Sequence, residues 1–317
     1  MNNMYVNSFQ GYNCYSTALG EYANRKDIKE IDKIIHSQLT FVFDKNMFWN
    51  DNWFAGSTLT PVDRYLEQDL KKFADVIVEE HCSNEEQAMV ETRIQLEKHG
   101  MQIVLVDFYY LESVNWKSLK SFNIFPEHDP HFIIVTDVDN ESVNIIDPYY
   151  NYQGTISTEQ FLTARMAQTR QGSVDFKSYE PHIENLKTVD IRKMLNVRFE
   201  RFMQERMYYQ IEEMVAEIDK KRLIEGKNQD RHWALNGYNC LRSAVHQHYN
   251  INELVTKYSI NMPSGFAELE NQWALIRKKL FSFYTNRFDK LEEISYLIFK
   301  TARMEKKCVQ AFLDYSS

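Results

Sequence analysis

The spacing of apolar and polar positions divides the chain in two. Up to about residue 158 short helical stretches alternate with β-rich runs, and beyond it the pattern is helical. Leu19 and Tyr22 stand at helical spacing behind the small Ser16, Thr17 and Ala18, so residues 15–22 predict a helix with Cys14 at its N-terminus. A second helix is expected over residues 28–38, and a third begins near Pro61-Val62-Asp63. Residues 101–110, MQIVLVDFYY, follow a turn at Gly100 and predict a central strand. Residues 132–136 and 142–146 predict a hairpin, because Asp139-Asn140 between two β-branched runs is a turn signal. His131 opens the first of these strands and Asp147 closes the second. In an antiparallel pair those ends lie across from each other, so the two side chains can meet.

Residues 189–223 read as one long amphipathic helix or a kinked pair, followed by helical stretches over 234–249, 266–285 and 288–314. The boundary is expected between Tyr152 and Arg165, making 1–158 a mixed α+β domain and 159–317 a helical one. No fixed-period repeat interrupts this plan. With 317 residues, 44% of them hydrophobic, the chain can bury a sizeable core. Nineteen Tyr and twenty Phe against nine Gly and six Pro suit an aromatic-rich core on long helices and a few strands. A net charge of −8 argues against a general phosphate-binding surface, so nucleic acid is not an expected partner. No basic segment followed by an apolar stretch opens the chain, and no run approaches the roughly 20 apolar residues that span a bilayer. Neither secretion nor membrane insertion is expected. Cys14, Cys82, Cys240 and Cys308 lack any CxxC spacing, which disfavours a zinc site or a disulfide framework and fits reduced thiols in the cytoplasm.

A cysteine thiol is mostly protonated at neutral pH, so its use as a nucleophile requires an imidazole and often a helix N-terminus to favour the thiolate. Gly11-Tyr12-Asn13-Cys14 before a helix, His131 at a strand start and Asp147-Pro148 at a strand end supply nucleophile, base and orienting carboxylate. Each is ordinary alone: a small helix residue, a strand-edge histidine, a turn carboxylate. Their joint arrangement is not. Gly237-Tyr238-Asn239-Cys240 repeats the same string, with His246 and His248 after it, but no hairpin bearing His and Asp follows. His81 and Cys82 read as surface or edge residues, and Cys308 as structural. His128 rivals His131 within Glu127-His128-Asp129-Pro130-His131; only His131 enters the apolar strand, which leaves His128 to cap the loop or touch substrate. Asp107 sits in an otherwise apolar strand, so it needs a partner or must face the cleft. Tyr109 and Tyr110 after it would wall that cleft or pack in the core.

These segments resemble the butirosin biosynthesis protein H-like acyltransferases, whose fold is similar to papain-like and double-glycine-leader peptidases. The likeness covers most of the chain: Asn13-Cys14 and its small-residue helix, Val104-Leu105-Val106-Asp107-Phe108-Tyr109-Tyr110, His131-Phe132-Ile133-Ile134-Val135 with Asp147-Pro148, and a helical region including Trp273-Ala274-Leu275-Ile276-Arg277. It implies a papain-like N-terminal domain with Cys14 as nucleophile, His131 as general base and acid, and Asp147 as its orienting residue. It further implies an acyl donor carried as a phosphopantetheine thioester on an acyl or peptidyl carrier protein, a small-molecule amine acceptor, and no metal or bound cofactor. Papain-like enzymes usually place an oxyanion-hole Gln about six residues before the cysteine. Here Ser8 occupies that place, leaving Gln10 or Asn13 as the side-chain donor beside the Cys14 backbone N–H. The same triad would serve a thioesterase, peptidase or amidase, and a non-catalytic carrier-binding protein is a reading of another class. Arg192-Lys193 and Lys220-Lys221-Arg222 are the basic segments that would meet an acidic carrier protein, or plain solvated helix faces. The sequence leaves the oligomeric state open, a homodimer included.

Overall fold

The computed structural model describes residues 9–45, 53–183, 185–224 and 231–316. In chain order these form α1 (Cys14–Arg25), α2 (Lys29–His36), β1 (Val42–Asp44), β2 (Phe54–Gly56), α3 (Arg64–Asp69), β3 (Ile77–His81), α4 (Glu85–His99) and β4 (Gln102–Asp107). Then come α5 (Trp116–Leu119), β5 (Pro130–Val138), β6 (Ser142–Asp147), β7 (Tyr152–Ser157), α6 (Thr158–Met166), β8 (Gln168–Thr169), β9 (Gly172–Ser173) and β10 (Ser178–His182). The last six are helices: α7 (Ile191–Gln204), α8 (Met207–Ile224), α9 (His232–Cys240), α10 (Arg242–Lys257), α11 (Leu269–Tyr284) and α12 (Leu291–Ser316). The class is α+β, as expected.

The chain forms two compact units, one from residues up to Ile35 together with Thr60–Thr188, the other from His36–Leu59 together with Val189 onward. The boundary expected near residue 158 is thereby corrected to 188/189. The physical reason is β10, which pairs on both sides within the first unit's sheet.

That sheet is antiparallel with strand order β3-β10-β4-β5-β6-β7. β4 is buried at all six positions because both faces of the sheet are covered, so its central residues Ile103 to Val106 are continuously apolar rather than alternating. On one face Tyr15 of α1 packs on Phe132, ring centroids 4.8 Å apart. On the other, Val104, Val106, Ile133 and Val135 meet Phe161 and Ala164 of α6. Each large side chain fully buried there contributes about 1.5–3 kcal/mol. The β5–β6 turn is held by Asp139, whose Oδ1 accepts from the backbone N–H groups of Glu141 (2.8 Å) and Ser142 (2.7 Å).

In the second unit the region expected as one long helix or a kinked pair is a pair, α7 and α8, parted at Arg206 with φ 53°. Trp273, Ile276 and Leu280 of α11 are fully buried, as are Phe199 and Phe202 of α7. The early segment joins this unit through Phe41 stacked on Trp273 at 5.6 Å, and through Gln247, which accepts from the Thr40 N–H and donates to Thr40 Oγ1, both at 3.0 Å. No described helix is long and apolar enough to cross a membrane.

Candidate active site

Local hydrogen bonding builds the entry to α1. Asn13 is the N-cap: its Oδ1 accepts from Ser16 N–H at 2.8 Å, while Ser16 Oγ accepts from the N–H groups of Asn13 and Tyr12, each at 3.0 Å. The Asn13 carbonyl accepts from Thr17 Oγ1 at 2.6 Å. Gly11 is required by close approach, since a Cβ there would lie 2.4 Å from Thr17 N. The buried Tyr12 donates its hydroxyl to Asp63 Oδ2 at 2.8 Å, and Asp63 in turn caps α3 by accepting from Leu66 N–H. Cys14 is thus fixed as the first residue of α1, partly exposed, where first-turn N–H groups have no partner within the helix and the dipole favours an anion.

His131 lies second in β5, opposite Val106. Its Nε2 is 2.9 Å from Asp147 Oδ2, and Cys14 lies near enough to the ring to influence its charge. With Nε2 engaged by the carboxylate, Nδ1 is the nitrogen left for the thiol. Asp147 is fully buried, and its other oxygen accepts from Tyr150 N–H at 3.3 Å, capping the turn Pro148–Tyr150. The expected directly opposed contact is corrected by the register. Ile134 faces Ile146, so the next step sets Asp147 against Ile133, and His131 reaches Asp147 diagonally along one face. Phe108 and Tyr150 flank the imidazole at 4.8 and 5.6 Å. Burial pushes the imidazole's pKa down, but the charge and hydrogen bond of Asp147, then Cys14, outweigh it and raise it to about 10. The pair thus favours the protonated form of His131.

A second histidine–carboxylate pair lies at the same end of the sheet. Asp107, fully buried at the end of β4, has Oδ2 2.6 Å from His128 Nδ1, while Oδ1 accepts from Tyr109 N–H at 3.0 Å. The His128 ring stacks on exposed Tyr109, centroids 4.2 Å apart. The carboxylate expected to need a partner thus has one, and each histidine has its own aspartate. Asp129, which sequence reasoning passed over, sits among these groups. Burial first, then Asp107, raises its pKa to about 6, against the pull of His131 and His128. Its sequence signal is the acidic residue between two histidines, His128-Asp129-Pro130-His131.

The other candidates separate from this group. Gln10 is exposed and its Nε2 lies 3.5 Å from the neighbouring Gly11 carbonyl; Asn13 Oδ1 accepts in the cap, which fixes the amide beside Cys14 and makes Nδ2 the atom that would donate to an oxyanion. Ser8 lies outside the described residues. Tyr110 offers its carbonyl to Gln160 Nε2 at 2.5 Å. Cys240 ends α9 instead of starting a helix, and His248 is buried against Glu305 at 3.0 Å. Cys82 is exposed after the edge strand β3, and Cys308 is buried with Sγ 3.7 Å from the Ser264 carbonyl. Arg192 and Lys193 are exposed on α7, whereas Lys220 is paired with Glu217 at 2.5 Å; the side chains of Lys221 and Arg222 lie outside the described residues. Cys14, His131 and Asp147 thus make a continuous chain of thiol, imidazole and carboxylate, the arrangement nucleophilic catalysis requires. A scan against protein-family models and a search of curated proteins both give no match for this chain.

Proposed function

We propose that the protein is a cysteine-dependent acyltransferase with a papain-like first unit, acting in the cytoplasm on acyl groups carried as phosphopantetheine thioesters by an acyl or peptidyl carrier protein. The observation that carries this reading is Cys14 at the start of α1 beside His131, whose ring is hydrogen bonded to the buried Asp147. The resemblance to the butirosin protein H-like acyltransferases supplies the donor and acceptor classes, and the four free cysteines suit a reducing compartment.

In the acylation half, Cys14 Sγ attacks the thioester carbonyl carbon and forms a new C–S bond. The developing oxyanion faces the backbone N–H at the start of α1. The pantetheine C–S bond breaks, and His131 gives its proton to the departing thiolate. In the transfer half, the amine nitrogen of a small-molecule acceptor attacks the acyl carbon, His131 takes its proton, and the Cys14 thiolate leaves as the amide forms. Asp147 keeps the imidazole oriented while it is neutral between the steps and stabilises the imidazolium that re-forms when the amine's proton is taken. A cavity of about 230 Å³, lined in part by Pro130, Arg64, Glu80, Lys177 and Tyr179, adjoins the residue before His131; Lys177 is paired with Glu80 at 3.4 Å, which leaves Arg64 as the cation it offers to a phosphate-bearing arm.

Intact mass spectrometry after incubation with acyl-pantetheine thioesters tests the proposal. Wild type is expected to gain one acyl mass, and Cys14→Ala none. Absence of an adduct with every thioester tried, together with slow alkylation of Cys14, would instead support a carrier-binding protein without catalysis. Loss of the adduct in buffer alone, as fast as with added amines, would identify a thioesterase.

A further inference from the structure

We infer that Glu79, His81 and His182 form a binding site for one divalent first-row transition ion such as zinc, apart from the thiol site. β3 and β10 pair antiparallel with Ser178 opposite His81, Glu180 opposite Glu79 and His182 opposite Ile77. Alternation therefore sets Glu79, His81, Glu180 and His182 on one face of the sheet. One donor atom from each of Glu79, His81 and His182 lies within 4.8 Å of the other two. Such an ion binds imidazole nitrogen and carboxylate oxygen at about 2.0–2.2 Å, so small rotamer changes close this triangle around it.

Two further observations point to a cation. His81 Nε2 is buried and makes no hydrogen bond, its nearest carboxylate oxygen being Glu180 Oε2 at 3.7 Å. Glu79 and Glu180 stand directly opposite, a placement that repels like charges unless they are neutralised. Glu180 is neutralised: Lys98 and His99 each lie 2.9 Å from Oε1, and Gln95 donates to Oε2 at 3.0 Å. Glu79 is not. Among the described residues its ionic partner is His182, at 2.8 Å, a group charged only when protonated. An ion held by Glu79, His81 and His182 gives the His81 ring a partner and balances the carboxylate at once. Two imidazoles and one carboxylate favour zinc, nickel or copper over the hard ions, and three protein ligands leave a coordination position for water. The expectation of no zinc site rested on cysteine spacing, and none of these donors is a cysteine.

The test is calorimetric titration of the full chain, stripped with EDTA and dialysed, with zinc chloride. One equivalent should bind, with affinity falling at least about tenfold in His81→Ala, His182→Ala and Glu79→Gln. Cys14→Ala should bind as wild type does, because the alternative ligand is the thiolate. Zinc should raise the melting temperature of wild type and not of the His182→Ala variant, whose site is on the surface and whose folding can be checked without metal. Binding that vanishes with Cys14→Ala, or that survives His81→Ala and His182→Ala together, would overturn the assignment, as would the absence of any zinc-dependent heat.

Discussion

Replacing Asp147 with asparagine keeps the shape of the side chain and removes its charge, which isolates what the carboxylate does for His131. A move of the imidazole pKa from 6.5 to about 10 corresponds to a preference for the charged form on the order of 5 kcal/mol, with Asp147 the largest upward influence. The folded-state value is raised, so the stabilisation is fully present below pH 6.5 and is lost as pH rises to about 10. Removing one partner of a buried pair costs about 3–5 kcal/mol. Asp147→Asn is therefore expected to destabilise the first unit by that amount at pH 6, with the deficit shrinking by pH 10. The direct readout is long-range proton–nitrogen NMR of labelled histidine, with His131 assigned by His131→Gln. Wild type should hold an imidazolium through pH 9, and in Asp147→Asn the midpoint should fall toward or below 6.5 as burial comes to dominate. A wild-type midpoint near 6.5, or one unmoved by the substitution, would refute the reasoning.

Three other substitutions probe the supports of the site. Gly11→Ala forces a Cβ against Thr17 N at 2.4 Å and should cost about 1–3 kcal/mol while slowing iodoacetamide alkylation of Cys14, read from melting curves and mass spectrometry. Asp107→Asn removes the charge that helps hold Asp129 near 6, so the Asp129 midpoint should move down in carboxyl carbon NMR; an unchanged midpoint would assign the shift to burial alone. Arg165 is buried and donates through Nη2 to the carbonyls of Phe176 (2.5 Å) and Lys177 (3.2 Å). Arg165→Met should cost about 3 kcal/mol and expose residues 167–177 to protease; wild-type resistance to cleavage would sink that account.

The legible parts of the fold are those with strong periodicity or turn chemistry. The long helices of the second unit show apolar stripes, the centre of β4 is a continuous apolar run, and Asp139 marks the β5–β6 turn. β3 and β10 escaped notice because their pairing is polar: Glu79, Glu80 and His81 on one side, Glu180 and His182 on the other, with Pro181 arguing against a strand. α4 escaped because it buries only Ala88 and Thr92 while Val90 and Ile94 are exposed. Missing β10 also misplaced the domain boundary, which was expected between Tyr152 and Arg165 although Arg165 is buried in the first unit. In the candidate site, Cys14, His131 and Asp147 were legible because helix starts and hairpin ends are local features. The pairing of His128 with Asp107 was not, since it depends on the register that sets Asp107 opposite Pro130 across 21 residues of sequence.

The position of β10 in the sheet has a consequence for synthesis. β4, β5, β6 and β7 pair in chain order, β5–β6 and β6–β7 through short turns and β4–β5 across residues 108–129, so they can close as the chain emerges. β3 has to wait, because its neighbour is β10, the last strand of the sheet to be made. Until then the outer edge of β4, bearing Ile103 and Val104, stands open, and an uncovered apolar edge invites pairing with another chain. A nascent chain stalled before Ser178 would already contain Cys14, His131 and Asp147 and yet be an aggregation hazard, and β10 is the strand whose arrival removes it.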